Sequence, residues 1–175
     1  MKWYDRKNKT KARNRFMLYV ICTVLCAGLV GLDQWVKWWT VVNIPYTVPM
    51  GEPLPFIPYI LGLNHTRNTG AAWSILNQHT WILIVVSLVM ALVILAVIAL
   101  RLIRHPFGVV PLTLILAGAI GNLIDRIRLG YVVDMFETLF MDFPIFNVAD
   151  ICVVCGGIAF CIYFAFFADK WEPKR

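Results

Sequence analysis

Residues 81–100 read WILIVVSLVMALVILAVIAL, twenty positions without a charge. At ~1.5 Å per residue such a helix is about 30 Å long, the thickness of a bilayer's hydrocarbon core. Three further stretches have the same character. Phe16–Leu32 is uncharged and extends to Trp39; Phe107–Ile124 carries one proline, Pro111, near its start; Ile151–Ala168 is again uncharged. A soluble protein hides such helices under polar layers. Here 60% of residues are hydrophobic, 15% are charged and mean hydropathy is +0.72, so there is too little polar surface to do so. Disordered and soluble globular classes are excluded. The expectation is an all-α membrane protein, one integral domain over 1–175. Its transmembrane helices fall at 16–39, 81–103, 107–128 and 148–168, with an outer platform at 40–80 and an outer loop at 129–147.

Seven of the sixteen basic residues fall in the first fifteen positions, ahead of the first apolar run. The run is too long for a cleaved signal and reads as an uncleaved anchor. With the N-terminus inside, twelve Lys and Arg lie on the inner side and four (Lys37, Arg67, Arg126, Arg128) on the outer. Both termini are therefore expected in the cytoplasm. Tryptophans 35, 38, 39 and 81 mark the outer interface and Trp171 the inner one. The basic tail is read as a topology signal, with no nucleic-acid partner. Cys152 and Cys155 form a CxxC inside the fourth run and read as small hydrophobes.

The two outer loops differ. Residues 40–80 hold five of the nine prolines, which excludes a long helix. Tyr59–Thr66 reads as extended, Asn68-Thr69-Gly70 as a turn, and the whole as a small β-rich platform on the membrane surface. In the second loop Phe136, Leu139, Phe140 and Phe143 share one helical face. A short amphipathic interfacial helix is expected there, stopped by Pro144, with Gly130 and Pro144 as hinges.

Seven of the ten acidic residues fall on the outer half, and Asp33, Asp125, Asp134 and Asp150 lie at or just beyond the outer ends of spans. Ionisable groups at that depth are costly and suggest function. Asp134 follows the third span and Asp150 opens the fourth, so antiparallel neighbours can bring them face to face. Two close carboxylates share one proton, and such a pair can activate water for amide hydrolysis without a metal or other cofactor. The alternative is structural, with Asp150 capping a helix or either carboxylate pairing with Arg126 or Arg128. Ser74 and Ser87 are the only serines, and no nucleophile motif surrounds them.

Four blocks then occur in order. They are Asp33-Gln34-x-x-Lys37, Asn68-Thr69-Gly70-Ala71-Ala72, Gly121-Asn122-Leu123-Ile124-Asp125-Arg126 followed by Gly130-Tyr131-Val132-Val133-Asp134, and Phe143-Pro144-Ile145-Phe146-Asn147-Val148-Ala149-Asp150. Together they resemble the lipoprotein signal peptidases (signal peptidase II), bacterial aspartyl proteases of the inner membrane. The resemblance implies removal of signal peptides from diacylglyceryl-modified prolipoproteins, cut on the amino side of the lipidated cysteine. It implies a catalytic pair at Asp134 and Asp150 and an active site at the extracytoplasmic interface. Supporting residues fall at Asp33, Lys37, Asn68, Gly70, Asn122, Asp125, Arg126 and Asn147, and the protein is expected to act as a monomer. Trp73 stands where the family usually has Phe, and so does Met135.

The roles of these residues stay open between two readings. Asn122 and Arg126 share a helix face and either orient substrate or, for Arg126, pair with Asp125 or Asp33. Asp33 and Lys37 form an i, i+4 pair tying the first span to the platform. Asn147 caps the fourth helix or binds substrate. Asn68 holds the platform turn or the substrate backbone. Rival functions are a small proton- or cation-coupled transporter and a non-enzymatic scaffold.

Overall fold

The computed structural model describes residues 2–48, 50–70 and 79–171. Trp73, Ser74 and the Ala71-Ala72 pair lie outside these, and so does the Trp171 side chain. In chain order the elements are α1 (Lys2–Asn43), β1 (Leu54–Ile57), β2 (Leu61–Asn68), α2 (Thr80–Ala99), α3 (Pro106–Leu129), β3 (Val132–Thr138), α4 (Val148–Phe166) and the short α5 (Ala168–Trp171). Among the described residues four helices are long and apolar enough to cross a membrane: Ala12–Asn43 of α1, and α2, α3 and α4.

The most enclosed of the four is α3. Ala91 and Ile94 of α2 meet Leu112 and Leu116 of α3 in a buried cluster. On the opposite flank α3 and α4 approach almost backbone to backbone. A Cβ on Gly118 would collide with the Ala149 carbonyl, and one on Gly156 would lie 2.8 Å from the Pro111 carbonyl oxygen. Small residues allow that approach where lipid offers no hydrophobic drive between helices. Large apolar side chains such as Val24, Leu92, Val93, Ile158 and Ile162 stay exposed, as lipid-facing surface should.

The loops build one antiparallel sheet in the order β1-β2-β3. Its third strand corrects one expectation, because the segment around Phe136–Phe143 is not an amphipathic helix. Residues 132–138 are strand and the chain then bends through 139–141. Phe136, Leu139, Phe140 and Phe143 do fit a helical stripe. The backbone of β3, however, is taken up by β2 on one edge and by Phe146 on the other, at 2.8 Å from Phe136 N to Phe146 O and 3.1 Å in return. Those partners lie outside the stripe, β2 some seventy positions upstream, and outweigh a local pattern of this length. Gly130, read as a hinge, is the left-handed C-cap of α3 at φ 80°, its N–H bonded to the Arg126 carbonyl.

Candidate active site

Asp134 sits in the middle of β3 and Asp150 in the first turn of α4. The Phe136–Phe146 bridge turns the chain back on itself between them. It delivers Asn147 beside β3, where the residue serves as the N-cap of α4. Asn147 Oδ1 accepts from Asp150 N at 2.9 Å, and Asn147 N donates to Asp150 Oδ2 at 3.1 Å, a reciprocal capping box. The Asn147 amide still has its N–H groups free for other partners. It donates to Asp134 Oδ1 at 2.6 Å and to Asn122 Oδ1 at 3.1 Å. Asn122 Nδ2 in turn donates to Asp150 Oδ1 at 2.7 Å, and Asn68 Nδ2 donates to Asp134 Oδ2 at 3.0 Å. Each carboxylate is thus held by two donors, and one asparagine touches both.

Behind this pair lies a charge cluster inside the bundle. Lys37 Nζ meets Asp33 Oδ2 at 2.9 Å, Asp125 Oδ2 at 3.1 Å and Asn122 Oδ1 at 3.0 Å, so its three donors are all used. Asp33 Oδ1 accepts from Ala149 N at 2.9 Å, and Asp125 Oδ2 from Val133 N at 3.2 Å. The i, i+4 pair therefore ties α1 to α3, to the start of α4 and to β3. Gln34, next to Asp33, joins it. Its Nε2 lies 2.9 Å from Asp125 Oδ1 and 3.2 Å from both Asp33 Oδ2 and the Gly121 carbonyl oxygen. Gly121 is required here, since a Cβ would stand 2.6 Å from Asp33 Oδ2.

Arg126 makes no ion pair among the described residues, so neither proposed partner, Asp125 or Asp33, holds it. Its Nη2 donates to the Gly70 carbonyl at 3.2 Å, while Nε is buried with no partner among the described residues. Asn68 folds its own turn, accepting from Gly70 N at 2.9 Å, while it donates to Asp134. Asn147 thus takes the capping role and Asn68 the turn role, and each also donates to Asp134.

Asp134 and Asp150 line one cavity of ≈470 Å³ with Asn68, Asn122, Arg126 and an apolar wall that includes Phe146, Ile151 and Val154. Asp134 is 1% exposed. Burial first, and then the neighbouring Asp150, push its carboxyl up to about 7, against the bonds from Asn68 and Asn147 that favour ionisation. A carboxyl that still holds its proton well above the usual carboxylate range, beside another in one cavity, is the arrangement that aspartic proteolysis needs.

Comparison with known proteins gives the family. The profile of signal peptidase (SPase) II matches residues 24–167. The chain belongs to the signal peptidase II family. It is 49% identical over 158 residues to the lipoprotein signal peptidase of Enterococcus faecalis, covering 90% of this chain and 94% of that one. It is 39% identical to that of Clostridioides difficile, covering 88% and 99%. Two solved bacterial membrane enzymes superpose with TM-scores of 0.78 and 0.74 at 28% and 29% identity. They cover 89% and 84% of this chain, and 93% and 94% of their own. As a member of the signal peptidase II family the chain is an aspartic-type peptidase and a multi-pass protein of the bacterial inner membrane. The transporter reading finds no support in these relatives.

Proposed function

We propose that this chain removes signal peptides from diacylglyceryl-modified prolipoproteins, cutting on the amino side of the lipidated cysteine, with Asp134 and Asp150 as the catalytic pair. The observation that carries the assignment is the single cavity holding both carboxyls. Water placed between them loses a proton to Asp150 as its oxygen attacks the amide carbonyl, while Asp134 gives its proton to the carbonyl oxygen. Collapse of the intermediate returns a proton to the leaving amine. Asn122 and Asn147 hold the pair in place.

The cavity's apolar wall supports a lipidated substrate. Ile151 and Val154 line it and are also 42% and 57% exposed on α4, so the cavity opens toward the face of the bundle that meets lipid. Acyl chains gain roughly 0.8 kcal/mol per buried CH₂. The Lys and Arg distribution supports both termini in the cytoplasm and the sheet end of the bundle outside. The network around the two carboxyls draws on residues of one chain alone, which supports action as a monomer, and the basic N-terminal tail is read as a topology signal rather than a nucleic-acid site.

The test is cleavage of a diacylglyceryl-modified precursor peptide by purified protein in detergent. Wild type cleaves it, and Asp134→Asn and Asp150→Asn, folded and inserted, do not. Substantial turnover by either variant removes the pair from its role. A non-lipidated precursor should be cut far more slowly, and a chelator should leave the rate unchanged.

A further inference from the structure

The strands β2 and β3 do not pair in one continuous register. Leu61, Gly62 and Leu63 lie opposite Thr138, Glu137 and Phe136, whereas Thr66, Arg67 and Asn68 lie opposite Asp134, Val133 and Val132. Asn64 and His65 therefore stand together against Met135 alone, a β-bulge of one extra residue. Side chains alternate across a strand, so a one-residue slip moves every following side chain to the other face. Without the bulge, His65 would pair with Asp134 and Asn68 would lie on the opposite face of the sheet. With it, Thr66 pairs with Asp134, and Asn68 is on the same face and within 3.0 Å of its Oδ2.

Both bulge residues are buried and both are tethered outside the sheet ladder. Asn64 Oδ1 accepts from His65 N at 2.8 Å, and Asn64 Nδ2 donates to Gly51 O at 3.1 Å and to Glu137 Oε2 at 3.0 Å. His65 Nδ1 lies 2.9 Å from Ile44 O, just past the end of α1, and its ring meets Tyr46 edge-on at 5.5 Å. A carbonyl only accepts, so Nδ1 carries the hydrogen. Nε2 has no partner among the described residues. The polar hold of the ring on the α1–β1 linker is the Nδ1 bond.

We propose that Asn64 and His65 are positioning residues for catalysis: by tying the bulge to the α1–β1 linker they set the strand register that turns Asn68 onto Asp134. This rests on Asp134 being catalytic, and the same assay series tests that separately through Asp134→Asn. His65→Leu removes the Nδ1 bond, whereas His65→Asn keeps a donor at the same place. His65→Leu should lower kcat on the lipidated precursor peptide by roughly ten- to a hundredfold, with KM within about twofold of wild type. His65→Asn should recover most of the loss. His65→Leu placed on Asn68→Ala should cost nothing beyond Asn68→Ala alone, because it acts through that residue. The alkaline limb of the pH profile should move upward in both single variants, since Asp134 loses a bond that favours its ionised form while Asp150, Lys37 and Arg126 stay as they were. If His65→Leu does not fold, Asn64→Ala, which cuts the other tether, takes its place in the same double-variant comparison. Wild-type kcat in the tether variant, a fully additive double variant, or an unmoved pH limb each overturn the proposal. Cleavage by folded Asp134→Asn overturns the catalytic assignment instead.

Discussion

Asn147 and Asp150 cap each other at the start of α4, side chain to backbone in both directions at 2.9 and 3.1 Å, and the amide left over on Asn147 reaches Asp134 at 2.6 Å. The helix cap and the site are one device. Asp150, one of the proposed catalytic pair, sits in the first turn of α4.

Asn147→Ala should therefore fail in two measurable ways. Loss of the cap costs about 1 kcal/mol of stability, read as a lower unfolding midpoint in detergent. Loss of the donor to Asp134 should cost roughly a hundredfold in single-turnover cleavage, as for a misplaced catalytic group. Asn147→Ser restores a capping oxygen without the reach to Asp134. It should recover stability and not rate. Recovery of both would show that the cap alone matters.

The pH dependence follows from Asp134. Its carboxyl is raised from 3.8 to about 7 in the folded protein, so the folded state holds a proton that the unfolded state has lost. Stability from this group is greatest below its unfolded value and is lost as pH rises through about 7. The unfolding midpoint of wild type should fall between about pH 4 and about pH 7 and then level off, and Asp134→Asn, which cannot ionise, should show a shallower fall. Cleavage should decline as pH rises through about 7 and Asp134 ionises. Equal slopes in the two proteins would place the titrating group elsewhere.

The charge cluster makes a different prediction. Lys37 is the cation between Asp33 and Asp125, all three being almost wholly buried. Lys37→Met leaves two carboxyls without it and should cost about 3–5 kcal/mol, as broken buried pairs do. Replacing Asp33 by Asn in the same chain should return part of that loss, because one uncompensated charge is then gone. Strict additivity of the two substitutions would mean that the residues are not coupled.

How much of this could be read beforehand depends on where each partner lies. The spans were legible because a charge-free run of about twenty residues has few other homes. The Asp33–Lys37 pair and the Asn147–Asp150 cap were legible because helix geometry makes i, i+4 and i, i+3 neighbours. Helix against strand at Phe136–Phe143 was not legible, since the apolar spacing fits a helix and the deciding partners are β2, some seventy positions upstream, and Phe146. Gln34 was seen as part of a block, but its role needed α3 beside it. The bulge at Asn64 and His65 was legible only as a hint, two adjacent polar residues in an extended stretch, because the one-residue slip is set by pairing with β3.

Two glycines that look alike in sequence differ in what surrounds them. Gly28 and Gly121 both lie inside apolar helices. A Cβ on Gly28 meets nothing within 4 Å, whereas one on Gly121 meets Asp33 Oδ2 at 2.6 Å and the Ala149 Cβ at 3.1 Å. Gly28→Ala should leave stability unchanged or slightly raised, because alanine is the better helix former. Gly121→Ala must push α1 and α4 away from α3 and should cost about 1–3 kcal/mol, the range for overpacking. It should also slow cleavage beyond any loss of folded protein, because Asp33 holds the Ala149 N–H at the start of α4, one residue from Asp150. Unfolding midpoints and active-site-normalised rates for the two variants decide this. A Gly121→Ala protein with wild-type stability and rate would show that the helices have slack at the point where α1 and α4 meet α3.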